Sequence, residues 1–181
     1  MRHTVSLLVL CAALLGASES RASASYANRS VSLGLGGLKL LGDNSELISG
    51  AAQLNLEGTL YLENGWDLYL RPQLMLMYQT ALVGPMGEGG LVVGGGGQFG
   101  IRYFFSEESL RPFAGVHLSG LYINRASGDK GYGGIGVQAG LDYFVGESVS
   151  IGARAYGDLY YTLNKPLLFA VGGTAVVSVY F

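Results

Sequence analysis

Gln53-Leu54-Asn55-Leu56-Glu57-Gly58-Thr59-Leu60-Tyr61-Leu62 alternates polar and apolar residues almost without a break. Successive side chains of a strand point to opposite faces. This period of two therefore sets Leu54, Leu56, Leu60 and Leu62, with Gly58, against Gln53, Asn55, Glu57, Thr59 and Tyr61. The pattern returns further along: Leu68, Leu70, Leu74, Leu76 and Tyr78 oppose Asp67, Arg71, Gln73 and Gln79, and Val149, Ile151, Ala153, Ala155 and Leu159 oppose Ser150, Arg154, Asp158 and Tyr160. Carried through the chain, it predicts eight strands at 29–40, 48–62, 66–80, 91–105, 110–124, 132–145, 149–162 and 168–181. The links alternate in length. Tight turns fall at 63–65, 106–109 and 146–148, and longer polar or glycine-rich links at 41–47, 81–90, 125–131 and 163–167. Short turns at one rim, long loops at the other and an even strand number define an all-β, eight-stranded antiparallel up-and-down transmembrane β-barrel with both termini at the short-turn rim.

Alternation alone does not say which face is outside, since a soluble ligand-binding barrel turns its apolar side inward. Three observations decide for apolar side out. The polar faces carry one or two charges per strand, too few for a water-facing surface. The strands exceed the roughly 9 to 11 residues that a tilted membrane strand needs, and the apolar faces sum to more than a small barrel interior holds. Aromatic residues of apolar parity sort to the two ends: Tyr103, Phe105, Tyr143 and Phe181 near the short turns, Tyr78, Tyr122, Tyr161 and Phe169 near the long loops. Aromatic side chains favour the headgroup level of a bilayer, so these eight are expected to form its two girdles.

Composition excludes other classes. The 181 residues include 30 glycines and only 13% charged residues, whereas about a quarter are charged in an ordinary soluble domain. Gly, Gln, Asn, Arg or Asp interrupts every apolar run beyond the first 20 residues, which rules out spanning helices. A net charge of -2 without a Lys/Arg cluster leaves no footprint for nucleic acid. Arg2 and His3, an apolar stretch over 5–17 and the small-x-small end Ala22-Ser23-Ala24 read as an export signal, giving a signal peptide at 1–24 and a barrel domain at 25–181. Cys11, the one cysteine, leaves with that segment and removes thiol chemistry from the rest.

The chain resembles the small eight-stranded outer-membrane barrels of Gram-negative bacteria, the OmpA-like and OmpX-like superfamily. The resemblance rests on the signal, the strand opening Arg111-Pro112-Phe113-Ala114-Gly115-Val116, the hairpin that begins Gly133-Gly134-Ile135-Gly136-Val137-Gln138, and the closing alternation Val171, Gly173, Ala175, Val177, Val179, Phe181. It implies location in the outer membrane with periplasmic termini, contact with outer-membrane lipid and lipopolysaccharide, and recognition of Phe181 by the barrel-assembly machinery. It is specific for architecture and silent on activity, because the superfamily holds anchors, adhesins, narrow pores and lipid-modifying enzymes.

Inward parity collects Glu57, Asp67, Asp142 and Asp158 against Arg71, Arg102, Arg111 and Arg154, a balanced set expected to meet as ion pairs in the periplasmic half of the lumen. His117 and Ser119 share a strand face and invite comparison with the lipid A deacylases of this barrel shape. They lie mid-strand and point inward, however, and Arg154-Ala155-Tyr156-Gly157-Asp158 carries neither the His nor the Ser that such a site requires. Gly94 to Gly97 lacks the Gly-Lys-Ser/Thr of a phosphate loop. No catalytic set, cofactor or metal site is expected. Inward Tyr61, Tyr69, Met75, Phe104, Phe144, Tyr156 and Tyr160 are expected to crowd the periplasmic half. Inward Gly34, Gly36, Gly94, Gly96, Gly136 and Gly140 either relieve crowding or leave a cavity, and the expected result is a blind cavity opening outward. The reading is a monomeric, non-enzymatic barrel with a structural or surface-interaction role and a side-chain-plugged lumen. Its alternative is a narrow channel for a small or apolar solute, and a lipid A-modifying enzyme stands behind both.

Overall fold

A computed structural model describes residues 28–41, 48–79, 90–123, 130–161 and 168–181. Its strands are β1 (Arg29–Leu41), β2 (Ile48–Glu63), β3 (Trp66–Gln79), β4 (Gly90–Phe104), β5 (Leu110–Ile123), β6 (Lys130–Phe144), β7 (Val149–Tyr161) and β8 (Leu168–Tyr180). Each pairs antiparallel with the next, and β1 pairs with β8 from Ser30↔Tyr180 to Leu41↔Phe169, so the sheet closes into a barrel. The eight predicted strands are all present, their described ends shifted by two residues at most; the expected ends at Thr80, Asn124 and Thr162, most of the long links and the export segment lie outside the described residues.

Local chemistry explains the tight rim. Asn64 and Gly65 both hold positive φ (51° and 83°), as a two-residue turn matched to strand twist requires, and Glu63 pairs directly with Trp66 across it. The Tyr61 hydroxyl accepts the Gly65 N–H at 2.9 Å. The turn after β4 is held by Ser106, whose Oγ accepts the Glu108 N–H at 3.1 Å, and the turn after β6 by the Val145 N–H donating to the Val149 carbonyl at 3.0 Å.

Polarity is inverted relative to a water-soluble protein. Leu56 is 52% exposed on the outer face, while its neighbour Glu57, 1% exposed, points inside. Leu33, Leu35, Leu70, Leu74, Phe99, Val116, Leu118, Ile135 and Val137 continue the outer apolar surface around the barrel, and Arg71, Arg102, Arg154, Asp67, Asp142 and Asp158 are buried within it. Period two produces this arrangement once closure turns one face of every strand inward.

Candidate functional site: the charged interior

Glu57 on β2 is the hub. It accepts hydrogen bonds from Arg71 Nε on β3 at 2.6 Å, from Arg102 Nη1 on β4 at 3.0 Å, and from Arg154 Nη1 on β7 at 2.5 Å, the last reaching across the lumen. Arg102 turns its Nε to Asp67 at 2.8 Å and its Nη2 to Thr59 at 3.1 Å. Arg71 donates its remaining groups to Gln98 at 2.7 Å and Gln138 at 2.8 Å. Gln98 in turn donates to Asp158 Oδ2 at 3.2 Å, and the other Asp158 oxygen meets His117 Nε2 at 2.7 Å. One chain of contacts thus runs His117–Asp158–Gln98–Arg71–Glu57–Arg102–Asp67. Two guanidinium groups lie near the Tyr69 ring centroid, that of Arg71 at 5.0 Å and that of Arg102 at 5.3 Å.

Of the eight charged residues singled out in the sequence, Glu57, Asp67, Arg71, Arg102, Arg154 and Asp158 are brought together by these contacts. Asp142 is fully buried, but neither carboxylate oxygen has a hydrogen-bond partner among the described residues. Arg111 is neither buried nor part of these contacts. Its inward parity brings it only to the rim, where Nε and Nη2 donate to the Glu108 and Glu107 carbonyls at 3.3 Å each and the guanidinium lies 4.5 Å from the Phe144 ring. A group this close to the strand end reaches the turn more readily than the buried acids.

Inward glycines make room for this packing. A Cβ on Gly136 would collide with His117 Nε2 and lie 2.5 Å from Asp158 Oδ1, one on Gly140 would lie 2.6 Å from Phe113 Cζ, and one on Gly115 would lie 2.6 Å from Arg102 Cβ. Their space is taken by neighbouring side chains, in keeping with relief of crowding. Where an outward-opening cavity is expected, the described residues of the loop half instead bury Leu38, Leu40, Met75, Met77, Ile123 and Leu168 in one mainly apolar cluster. Met75, Tyr156 and Tyr160, expected near the short turns, belong to that cluster too, because their positions on β3 and β7 lie toward the loop rim.

Among the aromatic residues singled out, Phe105, Tyr143 and Phe181 at the short-turn rim and Tyr122, Tyr161 and Phe169 at the loop rim are exposed on the outer face. Tyr103 is half-buried between Trp66, at 5.0 Å between ring centroids, and Phe105, at 5.3 Å. The Tyr78 side chain lies outside the described residues. The sequence reading missed Trp66, which is 43% exposed at the same rim; its outward parity with Leu68 and Leu70 was the available signal. His117 and Ser119 are both buried inside the barrel, away from the apolar outer face. Among the described residues no three His, Cys, Asp or Glu side chains converge as metal ligands.

A closed eight-stranded antiparallel barrel with leucine outside and ion pairs inside has the fold of the small outer-membrane β-barrels. Comparison with solved structures bears this out. Neisserial surface protein A superposes with a TM-score of 0.65 at 15% identity, over 85% of this chain and 97% of that one. OprG of Pseudomonas aeruginosa gives 0.58 at 10% identity, over 86% and 96%. The attachment invasion locus protein Ail of Yersinia pestis gives 0.54 at 12% identity, over 86% and 99%. At these identities the likeness is one of fold. No protein-family model and no curated protein sequence matches the chain.

Proposed function

We propose that the chain is an integral outer-membrane β-barrel protein, exported by its N-terminal signal, with periplasmic termini, a lumen closed by its own side chains and a structural or surface-interaction role. The observation that carries the reading is the inverted polarity: a continuous leucine-rich exterior around buried ion pairs is stable only where the exterior meets lipid. The surface role draws on two neighbours of the same fold, one named a surface protein and the other an attachment invasion locus protein. A non-catalytic role follows from His117 and Ser119 facing the packed interior, where a lipid substrate has no approach. Passage of a small or apolar solute through a narrow channel is the second reading, suggested by the mainly apolar side chains packed in the loop half, which would pass an uncharged solute more readily than an ion.

Membrane fractionation and heat-modifiable gel migration test the location; recovery as a soluble species without detergent would overturn it. A sharper test is Leu118→Arg, near the middle of β5 and 62% exposed. In a bilayer this change is expected to cost about 2–4 kcal/mol of folding stability, whereas on a water-facing surface it would stay within about 0.5 kcal/mol. Urea titration of folding into lipid vesicles reads the difference.

A further inference from the structure

The barrel interior has two layers of opposite character. Toward the short turns and through the middle, its walls are carboxylates, guanidinium groups and amides, and several of their buried polar atoms, including both Asp142 oxygens, Arg154 Nε and Asp67 Oδ1, have no protein partner among the described residues. Such groups can stand in for the hydration shell of water or an ion. Toward the loop rim the buried side chains become mainly apolar: Leu38, Leu40, Val92, Leu121, Ile123 and Leu168 offer neither donor nor acceptor, and Tyr132, Tyr156 and Tyr160 pack among them. Two successive inward positions of a strand, as at Leu38 and Leu40, cover roughly 7 Å of its length, enough to strip a hydrated solute of its water.

We infer that this apolar layer, and not the ion-pair cluster, is the barrier to passage through the barrel, and that Met75 and Met77 are its displaceable part. The inference rests on the reading that the lumen is closed. Met77 Cε occupies the place that a Cβ on Gly94 would take, and Met75 Cε lies 3.6 Å from the equivalent point on Gly96. Met77 thus fills the notch that β4 leaves at Gly94, and Met75 packs in van der Waals contact beside it, while the space at Gly96 is taken by the Gly120 carbonyl oxygen, 2.6 Å from such a Cβ. A methionine side chain is unbranched and turns about three bonds, while most of the surrounding wall consists of stiffer branched residues. Displacing the pair would leave a gap among mainly Leu, Ile and Val side chains, with the Tyr132, Tyr156 and Tyr160 rings and no charged group in the cluster, so the solute admitted first is small and uncharged.

Glycerol-driven swelling of vesicles containing the purified full-length barrel, paired with planar-bilayer recording in potassium chloride, tests the assignment. Each variant is first checked for heat-modifiable migration. Wild type is expected to be sealed in both measurements. Met75→Ala/Met77→Ala is expected to raise glycerol swelling about tenfold, and Met75→Leu/Met77→Leu to stay sealed because it refills the notch. Glu57→Gln is expected to stay sealed, the apolar layer above it being intact. Should the double alanine variant not fold, Met77→Gln, of similar size but able to hold water, is expected to leak in its place. A sealed alanine variant, or a folded Glu57→Gln barrel that leaks while the methionine variants do not, overturns the inference and leaves the closed lumen standing. A wild-type protein that conducts like a general porin overturns the closed lumen itself.

Discussion

Glu57→Ala is expected to cost about 3–5 kcal/mol, because it removes the shared acceptor of three buried guanidinium groups and leaves their charge uncompensated. The loss is larger than for Asp67, whose one guanidinium partner among the described residues is Arg102, or for Asp158, which bonds His117 and Gln98. The midpoint of urea unfolding in lipid vesicles should fall sharply, and the heat-modifiable band should convert at a lower temperature. Arg111→Ala is the matched comparison. Its guanidinium bonds turn carbonyls at an exposed rim, so its loss should lower the unfolding free energy by no more than about 1 kcal/mol. Equal effects from the two variants would mean that Arg111 belongs to the hub and that the rim geometry is wrong.

A second large effect is expected at the seam between β1 and β8. A Cβ on Gly36 would collide with the Gly173 carbonyl oxygen and lie 2.5 Å from Thr174 Cγ2 and 2.8 Å from Thr174 Cα. Two of these obstacles are backbone atoms of the paired strand, so no side-chain rotation relieves the overlap. Gly36→Val should abolish the folded, heat-modifiable form. Gly133→Val provides the contrast: its Cβ would meet nothing within 4 Å, it lies on the exposed outer face, and a β-branched residue suits a strand. That variant should migrate as wild type. A folded Gly36→Val barrel would show that the seam yields where its register predicts contact.

The fold was legible because each of its determinants is local. Gln53 to Leu62 states its own period, Asn64-Gly65 states its own turn, and the alternation of short and long links orders the rims without knowledge of any contact. Parity also placed every buried charge on the correct face. It could not say which acid meets which base, since Glu57–Arg154 and Arg71–Gln138 span the lumen at separations of 97 and 67 residues and depend on how closure staggers the strands. For the same reason the Asp158 partner of His117 was not seen, although both residues had been singled out. The loop half was misjudged through its glycines. Gly94 and Gly96 suggest empty space when β4 is read alone, yet Met77, diagonal to Gly94 on β3, fills the first and the Gly120 carbonyl of β5 the second.

Joining β1 to β8 has a kinetic consequence. Ser32 and Ser178, whose hydroxyls bond at 2.8 Å, are 146 residues apart, so this closure is far more distant in sequence than any hairpin contact between consecutive strands. Hairpins can form early and locally, but a sheet lacking β8 presents two open edges, on β1 and β7, whose N–H and C=O groups find no partner in hydrocarbon. Partly assembled sheets are therefore penalised in the bilayer interior, and insertion and ring closure are driven to occur together. High contact order then makes that joint step slow, and exposes the unfinished edges to pairing with other chains unless something shields them in the interval.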